Sequence, residues 1–147
     1  MRHYEFEFIV PPEAIDQLGH VNNLEYIRWV QDAATRHSEA VGLGWDEYRA
    51  MGTAFVVRRT AVEYLREVGV GEALRVATWI ESTTRVTATR ATEIRNAKGE
   101  VVVTAQTVWV YVTLATMRPT RMSPRIVDAF GGHPVGATTA PHALAEP

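Results

Sequence analysis

One stretch of this chain crowds together side chains that can do chemistry: Asp16-Gln17-Leu18-Gly19-His20-Val21-Asn22-Asn23-Leu24-Glu25-Tyr26. A carboxylate, a glycine, an imidazole and two amides stand directly ahead of an amphipathic segment. Asn22 and Glu25 have the spacing of helix N-cap and N3 residues. The Asn22 side chain can then accept from the Glu25 N–H while Glu25 reaches back, as in a capping box. That arrangement leaves the Asn23 amide unused at the positive end of a helix dipole. A carboxylate beside an unused helix N-terminus can serve as base or nucleophile next to a site for an oxyanion. The plain alternative is a polar loop followed by a good cap.

The elements around this stretch follow from hydrophobic period. Residues 3–10 alternate, with Tyr4, Phe6 and Phe8 on one side and Glu5 and Glu7 on the other, which predicts a strand that Pro11-Pro12 ends. From Asn23 to Val41 the period changes. Tyr26, Ile27, Val30, Ala33, Ala34, His37 and Val41 recur at three and four, forming one face of a helix of about five turns closed by Gly42. Trp45–Met51 reads as a short second helix ending at Gly52. Strand patterns then run over Phe55–Val68, Ala73–Glu81, Val86–Arg95 and Val101–Thr113, separated by Gly69-Val70-Gly71, Ser82-Thr83-Thr84 and Asn96-Ala97-Lys98-Gly99. No helix intervenes, so the strands read as a consecutive antiparallel meander. One strand, one long helix and four long strands predict an α+β domain with a sheet curled around the helix. Pro124–Phe130 reads as a terminal helical turn. Residues 132–147, rich in Gly, Pro, Ala and Thr with no period, read as a disordered tail after one domain over 1–131.

Composition removes several classes of function. The 147 residues suit one domain, and 46% hydrophobic residues supply a sizeable core. A net charge of −2 gives no general pull toward nucleic acid or an anionic membrane. With no cysteine there is no disulfide, thiol nucleophile or thiolate metal site, which suits a reducing cytoplasm. No signal-peptide pattern is visible after Met1, and the apolar-rich stretch Val101–Ala115 is broken by Thr104, Gln106, Thr107 and Thr113. Histidines at 3, 20, 37, 133 and 142 have no metal-ligand spacing, so no metal is expected. There is no Gly-x-Ser-x-Gly elbow, dinucleotide fingerprint or P-loop.

The order of elements and the motif at Asp16 together resemble the hotdog-fold thioesterases, in particular the 4-hydroxybenzoyl-CoA thioesterase-like branch. That family carries Asp, two or three residues, Gly-His-Val-Asn-Asn, two residues and Tyr, matched here from Asp16 to Tyr26 and followed by Trp29. A second shared element is the Glu-Tyr strand pattern, seen in Val62-Glu63-Tyr64-Leu65-Arg66-Glu67 and then Gly71-Glu72 and Leu74. The resemblance spans roughly residues 3–116. It implies a hotdog fold, a homodimer or tetramer with sites at the subunit interface, and a pantetheine-bearing thioester substrate. The chain departs from relatives in two places. Leu18 stands where plant acyl-acyl-carrier-protein thioesterases have a catalytic Asn, and Ala14 stands where an Asp-x-Asp form has its first Asp.

With that resemblance, Asp16 is the candidate catalytic carboxylate, attacking the thioester carbonyl or activating water. A turn-closing role is the alternative. The Asn23 backbone N–H is the candidate oxyanion donor, and Gly19 permits a close approach of the chain or simply makes a turn. His20 either positions water or the carbonyl, or braces the loop around Asp16. Asn22 reads as a cap more than as a substrate contact, and Tyr26 and Trp29 as core, although Tyr26 can line an acyl pocket. Glu63 and Glu67, four apart and on the side of Arg59, read as a structural ion pair or as a second carboxylate and substrate contacts. Arg58, Arg59, Arg90, Arg118, Arg121 and Arg125 are surface-charge residues or ligands for the phosphates of coenzyme A. The expected function is a cytoplasmic, homo-oligomeric acyl-CoA thioesterase that needs no cofactor and binds neither nucleic acid nor membrane. The rivals are an acyl-carrier-protein thioesterase, a non-catalytic acyl-thioester-binding module and a hotdog dehydratase.

Overall fold

The structure is a computed structural model, and it describes residues 1–131. The tail expected over 132–147 lies outside the described residues. The chain runs through β1 (His3–Ile9), a single 3₁₀ turn (Pro12–Ala14), α1 (Asn23–Ala40), α2 (Trp45–Met51) and β2 (Thr53–Tyr64). It continues through β3 (Ala73–Thr83), β4 (Thr87–Arg95), β5 (Val101–Thr113), the two-residue β6 (Arg118–Pro119) and α3 (Pro124–Ala129).

All strand pairs are antiparallel, in the order β1-β3-β4-β5-β2, with β6 added to the end of β5. This corrects the expected meander. β3, β4 and β5 follow one another, but β2 lies beside β5, with Phe55 opposite Tyr111 and Tyr64 opposite Val103. The edge of β3 is taken instead by β1, with Phe6 opposite Val76. β2 also ends at Tyr64, four residues earlier than its apolar pattern predicts. Leu65 and Arg66 both donate to the Val102 carbonyl, and the chain then leaves the sheet.

The helix lies against this sheet through the face that its period predicts. Tyr26, Val30, Ala33, Ala34 and His37 are buried along α1. The inward side chains of β1 pack on them. Phe8 meets Trp29 with ring centroids 4.7 Å apart, and Tyr4 stacks on His37 at 5.9 Å. Such pairs contribute about 0.5–1.5 kcal/mol each beyond the area they bury. Two apolar clusters result. The first joins Val10, Val21, Tyr26, Val68, Leu74, Val76, Ile94, Val102 and Val103 near the start of α1. The second gathers Leu43, Tyr48, Ile80, Tyr111, Met122, Ile126 and Phe130 where α2 and α3 close the far end. Gly52 ends α2 at φ 71°, the left-handed conformation that glycine adopts without a Cβ penalty.

Candidate active site

The loop carrying Asp16 is clamped at both ends by buried apolar residues. Ala14, Val21 and Val68 all belong to the first core cluster. Ile15 bridges Val21, the Val21 N–H donates to the Val68 carbonyl at 2.9 Å, and the Asn22 N–H donates to the Ala14 carbonyl at 2.8 Å. Between these anchors the chain makes a tight turn. The Asp16 N–H donates to the His20 carbonyl at 2.8 Å and the Gly19 N–H to the Asp16 carbonyl at 3.1 Å. Gly19 closes the turn at φ 80°, with open space where a Cβ would stand, so backbone conformation and not crowding selects glycine here.

Asp16 is itself part of the turn. Its Oδ1 accepts from the Leu18 N–H at 2.8 Å and from the His20 N–H at 3.4 Å. Its other oxygen accepts no hydrogen bond among the described residues. One oxygen braces the loop, as the turn-closing reading expects, and the other is left without a hydrogen bond among the described residues. Asp16, Leu18 and Asn22 line one shallow depression together with Ile15 and Gln17.

At the helix start the capping box does not form as expected. Asn22 is the N-cap, but its Oδ1 accepts from Leu24 N–H at 2.9 Å, not from Glu25. The Glu25 N–H turns back to the Asn22 carbonyl at 2.9 Å, and the Glu25 carboxylate pairs with Arg28 at 3.6 Å. The consequence for Asn23 is unchanged. Of the four consecutive amides from Asn22 to Glu25, the Asn23 N–H alone has no partner among the described residues. Tyr64, at the end of β2, donates to the Asn23 carbonyl at 3.4 Å and tilts its ring against Tyr26 at 5.7 Å.

The His20 ring makes no hydrogen bond with the Asp16 carboxylate among the described residues. Its Nε2 lies 3.2 Å from Glu67 Oε2, while its backbone holds the turn. Glu67 is therefore not in the strand with Glu63, and among the described residues no ion pair joins Arg59, Glu63 and Glu67. That corrects the pairing read from their spacing. The spacing rule holds only while the strand lasts, and β2 has ended by Leu65. Arg59 and Glu63 are exposed on the edge strand β2, Arg59 following a register shift after Val57. Tyr26 is core, and its hydroxyl is pushed up to about 12 by burial first and by Glu72, Tyr64 and Glu67 after it. Arg90, weighed as a surface phosphate ligand, is only 4% exposed and faces the interior. Sequence reasoning weighed Glu67 but missed its contact with His20, and it passed over Tyr64 at the start of α1. The Gly69-Val70-Gly71 turn was the signal that the chain bends toward the loop there. Among the described residues no cluster of His, Asp or Glu could hold a metal ion, and no helix is long and apolar enough to cross a membrane.

Solved structures share this fold. A hypothetical protein from Staphylococcus aureus, SAV2348, solved in complex with CoA, superposes with a TM-score of 0.84 at 17% identity, covering 99% of this chain and 94% of that one. A DHNA-CoA thioesterase from Staphylococcus aureus does so with a TM-score of 0.79 at 23% identity, covering 88% and 89%. A 12:0-ACP thioesterase from Umbellularia californica gives 0.78 at 20% identity, covering 92% of this chain but 52% of that one, so this chain spans about half its length. No curated protein matches the sequence. The model of the acyl-ACP thioesterase N-terminal domain matches residues 1–130. With the curled antiparallel sheet around α1 and the motif between β1 and that helix, this match assigns the chain to the acyl-ACP thioesterase N-terminal domain family, within the hotdog-fold thioesterases.

Proposed function

We propose that this chain hydrolyses an acyl-CoA to the free carboxylic acid and coenzyme A. In this reading the thioester carbonyl lies against the start of α1, and its oxygen takes the Asn23 N–H as negative charge develops. The free oxygen of Asp16 either attacks the carbonyl carbon or removes a proton from a water that does. In the first case an acyl-aspartyl anhydride forms and water then cleaves it. In both cases the carbon–sulfur bond breaks and the thiolate departs without strong acid assistance. A single oxyanion donor is typically worth about 3 kcal/mol in the transition state.

The observation that carries the reading is that two groups on the one loop-to-helix segment are unused. Among the described residues Asp16 keeps one oxygen free, and the Asn23 N–H is the one unspent amide from Asn22 to Glu25. A binding module has no use for a carboxylate beside the carbonyl it holds. His20, braced by Glu67, contributes by keeping the turn in place, with Gly19 supplying the positive φ. Asn22 contributes as the cap, and Arg59 and Glu63 are substrate-contact candidates at the edge strand. The family resemblance supports a homodimer or tetramer, and a cysteine-free chain suits a reducing cytoplasm.

A second reading has its own support. The family is named for acyl-ACP substrates, and one structural neighbour is a 12:0-ACP thioesterase. In that reading the thioester arrives on an acyl carrier protein. One assay tests both, by following thiol release from short, long and aromatic acyl-CoAs and from the matching acyl-carrier-protein thioesters. Faster hydrolysis of the CoA series is expected. Carrier-only turnover selects the second reading, and no turnover of either series rejects both.

A further inference from the structure

A second cavity, of about 240 Å³, lies where the later turns of α1 meet α2, the sheet and α3. It shares no lining residue with the depression beside Asp16. Measured along α1, Ala34 in its wall is about 16 Å from Asn23 at 1.5 Å per residue. Exposed Glu39 and Trp45 stand at its mouth, and buried Leu43, Ile80 and Ile126 form its apolar wall.

Arg90 on β4 breaks that apolar lining. It is buried, and its Nη1 donates to His37 Nδ1 at 3.0 Å and to Thr78 Oγ1 at 3.1 Å. Its Nε is buried with no hydrogen-bond partner, and no carboxylate pairs with it among the described residues. Burial lowers the guanidinium to about 10, so it stays charged at neutral pH. A second orphan donor stands beside it. Trp109 lines the same cavity and its buried Nε1 has no partner. Trp109 pairs with Ala88, two residues from Arg90, so both side chains leave the same face of the sheet.

Two residues in the wall of one apolar cavity, one of them cationic, each hold a buried donor without an acceptor. A wholly apolar occupant leaves both without an acceptor, and it leaves the Arg90 charge, which lies 5.6 Å from the Phe130 ring centroid and donates only to neutral groups, without a counter-charge, which is costly in the interior. A carboxylate supplies two acceptor oxygens and the compensating charge, and hydrogen bonds between ions are the strong ones. We propose that this cavity binds an unbranched apolar chain ending in a carboxylate, head inward, with the carboxylate on Arg90 and Trp109 and the chain against Leu43, Ile80 and Ile126. A free fatty acid has this chemistry, and so has the far end of a dicarboxylic acyl group carried on CoA. The site does not depend on the hydrolytic reading, because its test needs no turnover.

The full chain is titrated with dodecanoate and dodecanol, following tryptophan fluorescence, to which Trp45 and Trp109 report. The two CoA probes are non-hydrolysable thioethers bearing a dodecyl or an ω-carboxydodecyl chain. Dodecanoate is expected to bind at least about tenfold more tightly than dodecanol. Arg90→Met is expected to erase that preference, and Ala54→Phe, which adds bulk to the cavity wall on β2 and leaves the Arg90 side chain in place, to weaken acid and alcohol alike. If Arg90→Met does not fold, the acid-to-alcohol ratio of the parent and the loss in Ala54→Phe decide the matter. A preference confined to the ω-carboxylated CoA probe assigns the site to the end of a substrate chain. Equal binding of acid and alcohol together with equal binding of the two CoA probes, or no binding of any of them, overturns the proposal. So does a carboxylate preference that survives both variants.

Discussion

His37 on α1 and Arg90 on β4 are joined by one hydrogen bond of 3.0 Å whose direction can be assigned. A guanidinium only donates, so His37 Nδ1 accepts. The other ring nitrogen, Nε2, lies 2.9 Å from the Met1 carbonyl, which only accepts, so Nε2 carries the proton. The buried imidazole is therefore neutral, and it ties the sheet, the helix and the start of β1 together.

This arrangement predicts acid sensitivity. Burial above all lowers the His37 pKa from 6.5 to about 4; the Met1 carbonyl opposes it, and the charges of Arg90, the N-terminus and His3 add smaller downward contributions to that net value. Between those two values the unfolded chain binds a proton that the folded chain refuses. The contribution to stability is complete above the unfolded value and falls as pH drops through this window. Urea midpoints measured from neutral pH down to pH 4 should decline, with a shallower decline in His37→Gln. Parallel profiles for the two proteins would show that His37 does not control this range.

Asp16→Asn should fold like its parent and lose turnover. The amide keeps an oxygen to accept from the Leu18 and His20 N–H groups, so the loop has no reason to open. What goes is the carboxylate charge, and a positioned base is commonly worth about 10²–10⁴-fold. The check is kcat on a substrate that the parent hydrolyses well, with circular dichroism alongside. Unchanged kcat removes Asp16 from the chemistry.

Gly19→Ala should destabilise the domain by about 1–2 kcal/mol through backbone conformation alone. Its φ of 80° lies where a Cβ is unwelcome, and there is no neighbour to collide with. Asn22→Ala should cost about 1 kcal/mol by stripping the Leu24 N–H of its cap. Chemical denaturation of both variants gives the comparison. A loss in Gly19→Ala below a few tenths of a kcal/mol would mean that the turn relaxes freely.

The protein should be at least a dimer at micromolar concentration. β2 is an edge strand, and Val57 and Tyr64 on it are exposed. Open edges of this length are normally paired or covered. Light scattering that reports an active monomer would count against an interface site.

The sequence by itself determined what depends on near neighbours. The period of Tyr26, Val30, Ala33, Ala34 and His37 defined α1 and its buried face, because a helix repeats every few residues wherever it lies. Gly52 and the Asn96–Gly99 turn marked ends for the same reason. The Gly19-His20-Val21-Asn22-Asn23 string pointed to the helix start as the site. Only the tertiary structure decided which strands meet. Alternation says which residues share a face, not which strand lies alongside, so the neighbourhood of β2 and β5 was hidden. The contacts made after β2 ends were hidden too, among them Glu67 with His20 and Tyr64 with Asn23. Arg90 is the sharpest case. In an alternating strand it has the look of a surface cation, and only the packing of α1 and of Phe130 over the sheet buries it beside His37. Burial is a property of what packs on a residue, and here the packing elements are tens of residues away in the chain.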